Sequence, residues 1–204
     1  MRQLIIAGLT VALAACGAVA PLPEEVFLRL AVPAPASAGD GTVGELRVAP
    51  IIANGLHKER ALAYTRDDGH SLQLSHHELW IESPEQLLQQ ELATYLRGAL
   101  GGLQVVTETS AHAARVVTGR ITRFEQQLQK DGKSMVAGLE LAVRDPRQGN
   151  TLFVKSYSAT EPLHEATPSA IAQAMSRAVA AIFAAFIVDA GDTLKPPFAK
   201  DSAP

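Results

Sequence analysis

Two segments of this chain open with the same device, and each creates an apolar stripe that another layer must cover. In Ser83-Pro84-Glu85-Gln86 the serine can cap a first turn, and the proline takes the first helical position, where its missing N–H costs nothing. Gln86 stands third, as in a capping box. Leu88, Leu92, Tyr95, Leu96 and Ala99 then recur at helical spacing until Gly101-Gly102 closes the segment. Thr167-Pro168 starts the second helix, with Ile171, Met175, Ala178, Val179, Ile182, Phe183 and Phe186 on one stripe. Its opposite face is mostly alanine, so this helix can be covered on more than one side.

Runs rich in β-formers lie before, between and after these helices. Residues Val26 to Val32 read as a first strand and Leu46 to Ile52 as a second, with loop composition from Pro33 to Gly44. His57 to Arg60 is polar and reads as a turn or a short helix. Ala61 to Thr65 and Ser71 to Leu74 bracket Asp68-Gly69, a hairpin dipeptide. Leu103 to Thr107 follows the first helix. Val116 to Gln129, Ser134 to Asp145 and Thr151 to Tyr157 then form an antiparallel meander. In its middle strand Met135, Ala137, Leu139, Leu141 and Val143 alternate with a wetter set, the period of two that marks a half-covered sheet.

The first twenty residues belong to a different kind of segment. Arg2 precedes a run of about a dozen apolar residues from Leu4 to Ala15, the length of a signal-peptide core and short of the roughly 20 needed to span hydrocarbon. The run ends in Leu13-Ala14-Ala15-Cys16, which resembles the bacterial lipobox, where the cysteine thiol is diacylated and cleavage occurs just before it. Cys16 is the single cysteine in 204 residues. It has no partner for a disulfide, and a lipidation site needs only one thiol. Several acyl chains at about 0.8 kcal/mol per buried CH₂ would hold the chain on a membrane durably. Gly17 follows, where aspartate would resemble an inner-membrane retention signal, so the expected address is the periplasmic face of a bacterial outer membrane.

The expected organisation is a signal peptide at 1–15, a lipidated tether at 16–25, one domain at 26–190 and a flexible tail at 191–204. No second apolar stretch reads as an uninterrupted membrane span. With 18 Lys and Arg against 21 Asp and Glu and no basic block, nucleic-acid binding through phosphate neutralisation has no support.

Taken in order, these residues resemble a known family. The set comprises the lipobox, an early strand, a Leu-x-Val-x-Pro strand (Leu46, Val48, Pro50), Tyr64 with Arg66, then Trp80, Pro84 and a Leu-rich helix, with a meander and an Ala-rich final helix after them. It is similar to the ABC-type transport auxiliary lipoproteins, which include the lipoprotein of paraquat-inducible, Pqi-type systems. The resemblance implies an α/β (α+β) fold, a compact two-layer mixed β-sheet with two main amphipathic helices packed on it, in agreement with the element order above. It also implies partnership with an MCE-family protein and inner-membrane ABC or Pqi-type components that move phospholipid or other hydrophobic molecules between membranes.

Catalytic and metal motifs are missing from the sequence. There is no nucleophile elbow, HExxH, P-loop or GxGxxG after a strand, so the expectation is a non-enzyme without cofactor beyond lipid on Cys16. His76 and His77 adjoin Glu78, but neighbours on a strand point to opposite faces and converge poorly on one ion, so no metal is expected. Arg60, Tyr64 and Arg66 form a polar and aromatic patch for a partner or a lipid headgroup, against a plainer reading as a strand edge with solvated arginines. Trp80, the only tryptophan, is either a packing anchor or a partner-facing hot spot. The last helix is either plain core or, through its alanine back, a homo-oligomer contact. The competing functions are a pilot or assembly lipoprotein of an outer-membrane complex and a direct lipid carrier, although few large apolar residues are available to line a carrier's cavity.

Overall fold

The longest strand decides the architecture. In the computed structural model, which describes residues 24–33, 35, 43–66, 70–130 and 132–196, strand β7 runs Arg115–Gln129 and pairs along its whole length on one edge with β8 (Gly132–Arg144). Its other edge is shared by three short strands in succession. Strand β2 (Gly44–Val48) lies against Arg115 to Val117, β3 (Ile52–Ala53) against Arg120 and Ile121, and β4 (Ala61–Thr65) against Glu125 to Gln127, all parallel. The sheet therefore forks. One arm continues from β4 through β5 (Leu72–Trp80) to β1 (Val26–Leu28), and the other from β2 to β6 (Leu103–Val106). Beyond β8, strand β9 (Thr151–Leu163) completes the antiparallel meander.

Helices α1 (Pro84–Ala99) and α2 (Pro168–Leu194) cover one face, giving the two-layer mixed α/β fold. Both begin as their sequences require. The hydroxyls of Ser83 and Thr167 accept the amides of Gln86 and Ala170 at 3.4 and 3.3 Å. Gln86 returns its side-chain oxygen to the Ser83 hydroxyl, 3.2 Å away, closing the box on the side chain instead of the backbone amide. Tyr95 meets Phe183 edge to face at 5.5 Å between the helices, while Phe153 and Tyr157 of β9 pack on Phe186.

Several boundaries differ from the sequence reading. Pairing of the first strand stops at Leu28, because the chain leaves the sheet and passes between the helices. Leu30 and Val32 are buried, Ala31 donates to Ser176 Oγ of α2 at 3.1 Å, and Val32 donates to Glu91 Oε2 of α1 at 2.9 Å. The second strand is broken at Pro50, which has no ladder donor. The backbone groups freed around the break are taken by one face of α1, with Gln89 donating to the Val48 carbonyl and Glu85 accepting from Ala53 N–H. One 3-10 turn spans Gly55–Lys58, and β9 extends past Tyr157 to Leu163. Helix α2 continues through Gly191 because Phe186, Ala190 and Leu194 keep the stripe at four-residue spacing, and Leu194 is fully buried. The Asp68-Gly69 turn and Cys16 lie outside the described residues.

Helix α2 is long and apolar enough by length and composition to cross a membrane, although Arg177 interrupts its apolar run, as expected of a chain with no second uninterrupted span. An 18-residue window within its 27 residues reaches a mean hydropathy of 1.8, because alanine counts as apolar. Half of that window is covered inside the fold by the sheet, as the core helix of a folded body requires.

Candidate functional site

The most irregular pairing in the sheet lies between β4 and β5. Ala61 faces Leu79 and Ala63 faces Leu74, so five residue steps on β5 oppose two on β4. The surplus, Ser75 to Glu78, loops out as a bulge, a device that re-aims side chains. Ser75 holds it together, accepting from the amides of His77 and Glu78 at 3.4 and 3.2 Å and donating to Glu78 Oε2 at 2.7 Å. Ser75-x-x-Glu78 has the spacing of a helix capping box used inside a strand, and that spacing is the signal a sequence reading could have used.

The bulge overturns the argument made from strand alternation for His76 and His77. Their ring centroids are 6.3 Å apart and both imidazoles line one concavity of about 280 Å³. Tyr64 and Arg66 form its opposite rim, with the Arg66 guanidinium 5.3 Å from the Tyr64 ring centre and the Tyr64 hydroxyl donating to Gln73 Oε1. Gln126 of β7 and the aliphatic Leu74 and Leu128 complete the wall. Among the described residues no group of three or more His, Cys, Asp or Glu is placed to hold a metal ion.

The four residues singled out as a docking patch separate into three places. Trp80 is fully buried, packed on Phe124 at 5.0 Å between centroids, and so cannot be a surface contact. Only its backbone meets Arg60: the Trp80 carbonyl accepts from Arg60 Nε at 3.1 Å and the Trp80 N–H donates to the Arg60 carbonyl at 2.6 Å. Arg60 lies 5.8 Å over the ring of Phe27, which is 56% exposed on edge strand β1. Tyr64 and Arg66 sit at the far end of β4, four to six residues on, about 13–20 Å away at the strand rise. Sequence proximity alone put Arg60 together with them. The reading missed Phe27, Gln126 and both histidines as members of these sites.

Two ionisable groups are tied into the frame instead of a cavity. On the face of β7 opposite Phe124, His57 Nε2 lies 3.7 Å from Glu125, which also binds Arg123. Burial lowers the His57 pKa below its ordinary 6.5, with Arg123 reinforcing and Glu125 and the Phe124 backbone opposing. Asp189 of α2 accepts Lys155 Nζ at 2.7 Å and the Tyr157 hydroxyl at 3.0 Å. The Lys155 bond, with Tyr157 adding to it and desolvation opposing, keeps this carboxyl below the usual range, while burial and Asp189 push the Tyr157 phenol up.

A second concavity of about 370 Å³ lies beside β6, bordered by Glu45, Arg97 and Thr107 to Ser110. There Arg97 is engaged by the Val105 carbonyl at 3.0 Å, and acidic Glu45 and Glu108 share the wall, so two carboxylates face one engaged guanidinium and the lining does not favour an anion.

With this geometry in place, comparison with known proteins gives the family. Residues 28–187 match the model of the ABC-type transport auxiliary lipoprotein component. The chain belongs to that family. In fold it is similar to the protein XCC0632 from Xanthomonas campestris, assigned to family DUF330, with a TM-score of 0.71 at 15% identity over 82% of this chain and 98% of that one. The hypothetical protein CT253 from Chlamydia trachomatis aligns with a TM-score of 0.51 at 13% identity over 72% of this chain and 96% of that one. Identities this low show the fold alone. No curated protein matches the chain by sequence. The family's description is that of an auxiliary part of a transporter, and the lipoprotein character assigns the chain to a membrane surface.

Proposed function

We propose that this chain is a non-enzymatic accessory of an MCE and ABC-type phospholipid transport system, acylated at Cys16 and held on the periplasmic face of the outer membrane. In this reading the signal 1–15 is removed and 16–25 is the tether. The body then docks an MCE-family protein whose far end belongs to inner-membrane ABC or Pqi-type components. The observation that carries the reading is the exposed Phe27 with Arg60 stacked over it, on a three-residue edge strand at the point where the anchor segment enters the body. An aromatic and an arginine together are the residue types that dominate protein interfaces, and an open edge can accept a partner strand. A partner held there stays close to the membrane that the anchor selects.

The homo-oligomer reading attaches to the outward stripe of α2, where Arg177, Ala181, Ala184, Ala185 and Val188 are exposed, the last at 84%.

In-cell photo-crosslinking from position 27, followed by affinity capture, tests the proposal. Recovery of an MCE-type protein is expected. Recovery of a secretin or pilus component would transfer the chain to the pilot-lipoprotein class, and recovery of neither would remove the docking edge. The same experiment run from position 188 reports contact with a second copy.

A further inference from the structure

The concavity at the β5 bulge is lined differently from the docking edge. Three nitrogen-bearing side chains converge on it: Arg66 from the end of β4, and His76 and His77 from the bulge. The Arg66 guanidinium sits 5.3 Å from the Tyr64 ring centre and makes no ion pair among the described residues. Glu78 is the one described carboxylate on the wall, and one of its oxygens is engaged by the Ser75 hydroxyl at 2.7 Å. Gln126 lines the same wall. It is 7% exposed, and its amide has no hydrogen-bond partner among the described residues. Its amide atoms are not sealed from solvent, so a ligand oxygen can reach the NH₂ without displacing a protein partner. Leu74 and Leu128 add aliphatic surface beside the polar groups.

The concavity's place in the chain narrows the ligand. Val26 of β1 pairs in register with Glu78, the last residue of the bulge. Ten residues separate Cys16 from Val26, which even fully extended reach at most about 36 Å. The concavity therefore stays within that reach, plus the width of the bulge, of any bilayer holding the Cys16 acyl chains. We infer that it binds the phosphate-bearing headgroup of a phospholipid from the membrane on which the protein is anchored. Arg66, the two imidazoles and the Gln126 amide meet the phosphate oxygens, and Leu74 and Leu128 lie along the glycerol and the first methylenes. About 280 Å³ holds a headgroup and not a whole lipid, so the acyl chains stay outside it. The site grips a lipid at its polar end and does not carry it. Phosphate recognition by a guanidinium follows its charge-assisted, forked hydrogen bonding.

The inference rests on the anchored-transport reading for the source of the lipid. The test uses the full-length protein in a neutral non-ionic detergent, titrated calorimetrically with dihexanoyl phosphatidylglycerol and, separately, with inorganic phosphate. Saturable binding of the lipid is expected, at least tenfold weaker in Arg66→Glu and in the double variant His76→Ala/His77→Ala, and unchanged in Arg177→Ala on α2. Inorganic phosphate that binds as tightly and displaces the lipid would make the ligand free phosphate and overturn the lipid assignment. Absence of binding by either probe, or lipid binding indifferent to Arg66→Glu, would overturn the site. Crosslinking from Phe27 does not involve this concavity. A captured MCE partner with no lipid bound here leaves the transport reading standing and removes only the headgroup site.

Discussion

The meander with α2 and the forked half with α1 are built on opposite principles. In the meander, β7 with β8 and β8 with β9 stay in antiparallel register over about a dozen residue pairs each, with a single shift in either ladder. Neighbours in sequence are neighbours in space, and Phe153, Tyr157, Phe183 and Phe186 close one apolar cluster. In the forked half the ladders are two to four pairs long and mostly parallel, and all but the β4–β5 pairing join residues far apart in the chain. Short ladders leave backbone groups over, and side chains take them: Gln89, Glu85, Glu91, Ser176 and Ser75 each satisfy an amide or carbonyl that a longer strand would have paired. The regular half supplies rigidity. The irregular half holds the exposed Phe27 edge, the bulge and its concavity, because a sheet can aim side chains in new directions only where its pairing is interrupted.

The contrast can be broken at its strong end first. Phe183 is fully buried where both helices and the meander meet. Phe183→Ala should cost about 3–5 kcal/mol, read as a lower urea midpoint, and a loss below about 1 kcal/mol would mean that the meander core is not the frame. A smaller effect is expected from Ser75→Ala, which removes three hydrogen bonds of the bulge and should cost about 1 kcal/mol. Hydrogen exchange should then quicken at His76 to Glu78 while the β8 amides keep their protection. Exchange that quickens equally in β8 would show that the two halves open together and would erase the distinction.

The smallest effect concerns the turn that carries His57. Its folded pKa lies below 6.5, so the unfolded chain binds this proton more readily. The contribution to stability is fully present above 6.5 and is lost as pH falls through the lower folded value. His57→Gln should flatten the dependence of the urea midpoint on pH in that window. An unaltered slope would assign the dependence to other groups.

Much of the regular half, and the capped helix of the forked half, was legible in the residues. Both capped helices, the stripe of α2 and the alternation along β8 are local patterns, set by hydrogen bonding and side-chain period over a few residues. The lipobox-like Leu13-Ala14-Ala15-Cys16 and the ordered residues from Leu46 to the final helix were enough to point to the family that the match over residues 28–187 shows. The irregular half was less legible. Strand alternation placed His76 and His77 on opposite faces, but a serine three positions before the end of β5's surplus held the strand in a loop and brought both imidazoles to one wall. Proximity in sequence joined Arg60 to Tyr64 and Arg66, although a strand's rise carries its two ends apart.

Local periodicity and capping chemistry therefore determined, from sequence alone, which segments are helices, which form the meander and where each apolar face lies. Only the tertiary structure decided that β7 is shared by three short strands and that Trp80 is sealed inside. It alone brought Phe27 to Arg60, and Arg66, Gln126 and the two histidines to one cavity. These meetings depend on parallel register between distant segments and on a bulge anchored by one hydroxyl. Neither leaves a periodic trace, because the interactions that establish them are made once, across the fold.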